Sequence, residues 1–240
     1  MPYTSVFRRY ELKYLLTPEQ KAMVLERMSP FMELDSYGRT TIRNVYYDTD
    51  NYRLIRRSIE KPAYKEKLRI RSYSTATPNS QVFVELKKKY EGVVYKRRIA
   101  LPESVATDWI CDRIESPVNT QISREINYFK KHYEGIHPAM FLSYEREAYY
   151  DRAGGDFRVT FDHNILCRQT DISLCNEPYG YSILPADRLL MEIKCPGAIP
   201  LWMVNILSDE KIYKTSFSKY GTAYIKTVLN LDTNLKELHR

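Results

Sequence analysis

The chain has 240 residues, 43% hydrophobic and 13% aromatic, with 37 Lys and Arg against 30 Asp and Glu, a net charge of +7. That supports a globular core; with 8 glycines and no run of about 18 apolar residues, it excludes a fibrous or low-complexity chain and a transmembrane helix. The basic excess points to a polyanionic partner, and Cys111, Cys167, Cys175 and Cys195, with no CxxC pair and no His at zinc spacing, read as reduced thiols.

"MPYTSVFRRYELKY" lacks an apolar signal core, so a cytoplasmic location is expected. The first strand is predicted in "FRRYELKYLL". Thr17 then caps a helix, with Pro18 at its first position, Gln20 closing a capping box and Pro30 ending it. "TTIRNVYYDT" alternates as a strand, while "DNYRLIRRSIEK" reads as a short turn and linker. Strands are predicted over 64–73, 81–89 and 93–100, with Gly92 free for positive φ in the turn between the last two. Helices are predicted over 102–115 and 119–134. Strands at 140–150, 157–162 and 188–195 follow, then helices at about 198–208 and 218–230. Strand runs broken by helices predict an antiparallel α+β fold. No glycine-rich phosphate loop of either standard pattern is present, so a phosphate site must be built from side chains.

Parity within the strands carries the functional signal. Arg9, Glu11 and Lys13 share a face; so do Lys67, Arg69 and Arg71; Glu85, Lys87 and Lys89; Lys96 and Arg98; Arg158 and Asp162; and Glu192 and Lys194. Arg146 is opposite in parity to Glu145 and Glu147. The other faces carry Tyr10, Leu12, Tyr14, Leu68, Ile70, Leu86, Lys88, Met191 and Ile193. A solvent-facing sheet side normally mixes charge signs, but here about twelve cations stand against four or five acids. An eight-stranded barrel with these rows inward and the helices outside fits the pattern, provided an anion fills the interior. Arg suits phosphate because its planar fork offers two donors. Aromatics of opposite parity to the cations argue against nucleic acid.

The ordered motifs "YELKYLL", "VYYDTDNYRLI", "KLRIRSY", "VFVELKKK", "YEGVVYKRR", "LSYERE", "FRVTFD", "LLMEIK" and "SFSKYG" resemble the vacuolar transporter chaperone (VTC) domain, within the triphosphate tunnel metalloenzyme superfamily. The resemblance runs through nearly the whole chain and implies one domain over 1–240. It implies an eight-stranded antiparallel tunnel with a basic lumen, binding ATP or another triphosphate, or polyphosphate, with Mn²⁺ or Mg²⁺. Polymerase members transfer the ATP γ-phosphate onto polyphosphate. By this resemblance Lys13, Arg69, Arg71, Lys87, Arg146 and Arg158 are phosphate contacts, with Ser218 and Lys219 at the start of the last helix. Glu192 is the metal carboxylate, and Arg57 corresponds to one further phosphate contact. Lys67, Lys89, Lys96, Arg98 and Lys194 share the cationic faces and join them as substrate contacts. Glu11 stands where the hydrolytic branch holds metal.

The sequence departs from the family pattern at three places. Ser216 replaces a Lys, with Lys214 two residues back; Lys89 stands where His is frequent; Arg9 replaces a Glu of the hydrolytic branch. The leading expectation is an ATP-dependent polyphosphate polymerase. The alternatives are a tripolyphosphatase or nucleoside triphosphatase of the same fold, and a non-catalytic polyanion binder. Since the membrane helices of eukaryotic relatives are absent from this sequence, a separate membrane partner is expected to export the product.

Overall fold

The computed structural model describes residues 10–91 and 93–230. The turn at Gly92 and the predicted strand's first residues, Arg9 included, lie outside the described residues. The elements are β1 (Tyr10–Leu16), α1 (Pro18–Met28), β2 (Met32–Asp48), α2 (Arg53–Ile59), β3 (Tyr64–Ser72), β4 (Gln81–Tyr90) and β5 (Val93–Pro102). Then come α3 (Glu103–Ile110), α4 (Gln121–His132), β6 (His137–Asp151), β7 (Arg158–Arg168), β8 (Tyr181–Ser182), β9 (Leu189–Cys195), α5 (Leu201–Asp209), β10 (Lys214–Thr215) and α6 (Lys219–Thr227). The fold is α+β, a mostly antiparallel sheet of ten strands with six helices among the described residues. The strand order is β10–β1–β9–β7–β6–β2–β3–β4–β5, with β8 on β7.

Closure into an eight-stranded barrel is corrected by this order. Among the described residues β5 pairs only with β4 and β10 only with β1, so the ladder is open. Pro102, which has no N–H to offer a ladder, ends β5 and leads directly into α3.

Contacts divide the chain into two compact units. Of the described residues, the first comprises Ile42–Ser143 and Leu166–Tyr181; the second comprises Tyr10–Thr41, Tyr144–Ile165 and those from Ser182 onward. In the first, the apolar parity of β3 and β4 places Leu68, Ile70, Val84 and Leu86 in a core roofed by Ala106, Trp109 and Ile110 of α3 and Ile126 and Phe129 of α4. The buried Trp109 indole donates to Asn127 Oδ1 at 2.9 Å, so its one polar atom is satisfied. In the second, Tyr14, Leu16, Val159, Phe161, Met191 and Ile193 pack under Val24 and Met28 of α1 and Met203, Ile206 and Leu207 of α5. The capping box at Thr17 and Gln20 is formed as the sequence predicts. In each unit the helices take the apolar side of the strands and leave the charged side to the site.

The stretch read as a turn and linker holds a helix instead, α2. Its cap is not local. Tyr52, at the N-cap position, has φ 55° and no side-chain cap, while the fully buried Asp48 accepts from Thr49 N, Leu54 N and Ile55 N at 2.9 to 3.0 Å. A carboxylate at the end of β2 thus satisfies the orphan N–H groups of a helix starting five residues later. β2 also begins eight residues before its predicted start. It carries the bend signals Asp35 and Gly38 (φ 61°) inside a continuous ladder, which masked it from pattern reading. The predicted helices 102–115 and 119–134 are each trimmed at both ends.

Candidate functional site

In the first unit, strand register turns the alternating cations into rows. Lys67 pairs with Lys87, which pairs with Lys96; Tyr46 with Arg69, Glu85 and Arg98; Asn44 with Arg71 and Phe83. Lys67, Arg69, Arg71, Lys87, Lys96 and Arg98 therefore share one face of β3–β5 with a single carboxylate, Glu85. Glu85 is 1% exposed. Arg69 donates to its Oε2 from Nε at 2.9 Å and Nη2 at 2.8 Å, Arg71 Nε lies 3.9 Å away, and the Lys96 ammonium contacts Oε1. Burial opposes its charge, yet Arg71, Lys96 and Arg69 hold its carboxyl well below the usual range. The same burial pushes Lys96 down to about 7; Arg71 and Arg69 add to this and Glu85 opposes it.

The two arginines are aimed from β2. Arg69 Nη1 donates to the Tyr46 hydroxyl at 2.8 Å. Arg71 Nε donates to Asn44 Oδ1 at 3.0 Å, and the fully buried Asn44 is itself oriented by donating to Leu142 O at 2.9 Å. Arg98 lies over the Phe83 ring at 5.0 Å. Lys89 continues the face one row beyond Lys87, opposite Lys65.

The second unit repeats the arrangement around two carboxylates. Glu192 of β9 stands between Lys13 of β1 and Thr160 of β7, and Lys194 between Glu11 and Arg158. Glu192 accepts from Lys219 Nζ at 2.9 Å and has Arg146 at 3.4 Å, Lys194 at 3.5 Å and Lys13 at 3.7 Å. Asp162, fully buried, takes a two-pronged bond from Arg146 at 2.6 Å on each oxygen and the Lys219 ammonium at 2.5 Å. Against the cost of burial, Lys219, Lys13 and Lys194 keep Glu192 well below the usual carboxyl range, and Arg146 and Lys219 lower Asp162. Lys219 is raised despite burial because Asp162 and Glu192 flank it; Lys194 is pushed down to about 8, by burial first and then by Arg146.

Ser218 caps α6, its hydroxyl accepting from Gly221 N at 3.1 Å, which places Lys219 in the first turn. Lys13 Nζ donates to Phe217 O at 2.7 Å, tying β1 to the same turn. Arg158 stacks over Tyr150 at 4.5 Å. Arg57 is the residue set apart: it is exposed on α2 beside Tyr64, Glu66 and Tyr133 and is not among the ion partners of Glu85. The strand parity placed Glu85 on a cationic face, but Asn44 and Tyr46 were not read from the sequence. Their signal was the shared parity of Asn44, Tyr46 and Asp48 in "TTIRNVYYDT". Asp162, which by parity shares a strand face with Arg158, forms its ion pairs with Arg146 and Lys219.

Among the described residues no group of three or more His, Cys, Asp or Glu is placed to hold a metal ion. Mg²⁺ accepts one or two protein carboxylates with phosphate oxygens completing its shell, and Glu192 and Glu11, on one face of the β1–β9 ladder, are the carboxylates that would serve that mode.

An antiparallel α+β chain whose charged strand faces hold buried carboxylates collared by Lys and Arg, with no glycine-rich phosphate loop in its sequence, defines the class of protein. The chain belongs to the VTC domain family, whose model matches residues 8–228. No curated protein matches the sequence. Among solved structures it is similar to a candidate adenylate cyclase from Bacillus halodurans, with 14% identity over 90% of this chain and 96% of that one and a TM-score of 0.58. It is also similar to a candidate adenylyl cyclase from Hippeastrum described as having a dominant triphosphatase activity. That match has 17% identity over 92% of this chain and 96% of that one, with a TM-score of 0.53. At these identities the likeness is one of fold.

Proposed function

We propose that this chain catalyses phosphoryl transfer on triphosphates, most directly as an ATP-dependent polyphosphate polymerase. The observation that carries the reading is the face around Glu85, where Arg69, Arg71 and Lys96 meet one carboxylate and Lys65, Lys67, Lys87, Lys89 and Arg98 add further cations, an imbalance that a phosphate chain would neutralise. Arg69 and Arg71, oriented by Tyr46 and Asn44, would grip phosphate oxygens through their forks, while Lys67, Lys87, Lys96 and Arg98 add charge along the face. In the second unit Lys13, Arg146, Arg158, Lys194 and Lys219 would do the same. A divalent ion held by Glu192 with Glu11 would supply further neutralisation of phosphate charge when bound.

Phosphoryl transfer asks mainly for positioning and electrostatic stabilisation. The attacking group in polymerisation, a terminal phosphate, is already anionic and needs no base. Hydrolysis would benefit from a carboxylate poised near neutral pH, whereas the surrounding Lys and Arg hold Glu85, Asp162 and Glu192 below their ordinary range. Hydrolysis stands as the second reading, on the strength of the triphosphatase activity ascribed to the Hippeastrum protein. The test is incubation of the full chain with γ-labelled ATP and Mn²⁺. Labelled chains of growing length support the proposal, labelled orthophosphate alone transfers it to the second reading, and unchanged ATP refutes both, leaving a binder of polyanions.

A further inference from the structure

Thr160 holds an orphan hydroxyl. The residue is 4% exposed, and its Oγ1 is buried with no hydrogen-bond partner. Burying a hydroxyl without a partner costs free energy, and Val would fill the same space on a strand without that cost. The hydroxyl therefore asks for an acceptor in another state of the molecule.

Its neighbours say which acceptor. On β7 Thr160 shares a face with Arg158 and Asp162; across the ladder it stands opposite Glu192, which stands opposite Lys13. Both carboxylates are already committed, Asp162 to Arg146 and Lys219, and Glu192 to Lys219 with Arg146, Lys194 and Lys13 within 4 Å. An anion drawn in by these cations brings acceptor oxygens to a hydroxyl whose O–H has none. We infer that Thr160 Oγ1 donates to a phosphate oxygen of the bound triphosphate beside Glu192, a contact formed only on binding. This rests on reading the site as a triphosphate site.

Removing the hydroxyl should then act in opposite directions on the free and the bound protein. In Thr160→Val, tripolyphosphate binding measured by calorimetry should weaken about tenfold or more, the loss of one hydrogen bond to a charged group. The ligand-free variant should melt no lower than wild type. Thr160→Ser, which keeps the donor, should bind within about twofold of wild type. Ser143→Ala removes the other unpartnered buried hydroxyl among the described residues and serves as control, with wild-type binding expected. Unchanged binding by Thr160→Val overturns the inference. So does a lower melting temperature of the free variant, which would mark a structural hydroxyl, or equal weakening in Ser143→Ala. If wild type itself fails to bind tripolyphosphate, the proposed function falls first and takes the inference with it.

Discussion

Glu85→Gln tests the idea that a carboxylate stands in for substrate within a cation collar. Glu85 is 1% exposed and meets Arg69 through two bonds of 2.8 and 2.9 Å, with Lys96 on its other oxygen and Arg71 at 3.9 Å. Glutamine keeps the shape and one acceptor but strips the only negative charge from that face. Breaking a buried ion pair by removing one partner costs about 3–5 kcal/mol, and the retained amide oxygen puts the expected loss near about 3 kcal/mol. For a chain of this size that is a fall of about 6–12 °C in melting temperature. Glu85 is depressed in the fold, so its contribution is present above the ordinary carboxyl pKa of 4.5 and lost as pH falls below it. The gap between wild type and variant should therefore be full at pH 7 and narrow in acid. Tripolyphosphate no longer competes with Glu85 for Arg69 and Lys96, so it should raise the variant's melting temperature more than the wild type's. Thermal unfolding with and without tripolyphosphate reads both. A loss under about 1 kcal/mol, or the same ligand shift in both proteins, would show that Glu85 does not hold the collar in place of substrate.

Lys96 holds its proton to about pH 7 in the fold against 10.5 in its ordinary state, so the unfolded chain binds the extra proton between those values and wild-type stability should climb with pH there. Lys96→Arg should flatten the climb in denaturant titrations at pH 7 and 9; an equal climb in both proteins removes Lys96 as its source. Lys219→Met leaves Asp162 and Glu192 without the ammonium at 2.5 and 2.9 Å that they share, and should cost about 3–5 kcal/mol in urea unfolding at pH 7, less near pH 4. Asp48→Ala removes the acceptor of three N–H groups and should cost about 2 kcal/mol, with the amides of Leu54 and Ile55 exchanging faster.

The strand alternation made most of this legible. The parity of Lys67, Arg69 and Arg71 against Leu68 and Ile70 is the structural division between charged face and core, because period-two patterning and burial on one face are the same physical fact. What stayed hidden depends on register and distance. The sequence places Glu85 on a cationic face, but only the pairing of Arg69 with Glu85 and Arg98 shows one carboxylate ringed by cations. Asp48 caps a helix across an intervening loop, a contact no local capping pattern announces. The helix α2 stayed hidden for the same reason, and with it the setting of Arg57 beside Tyr64, Glu66 and Tyr133.

The most direct measurement is calorimetric titration of tripolyphosphate into the full chain at physiological salt, beside Arg69→Ala from the first unit and Lys194→Ala from the second. Wild type should bind saturably, and each variant should bind tenfold or more weakly. Wild-type protein that takes up no tripolyphosphate, or variants that bind it as tightly as wild type does, would contradict this.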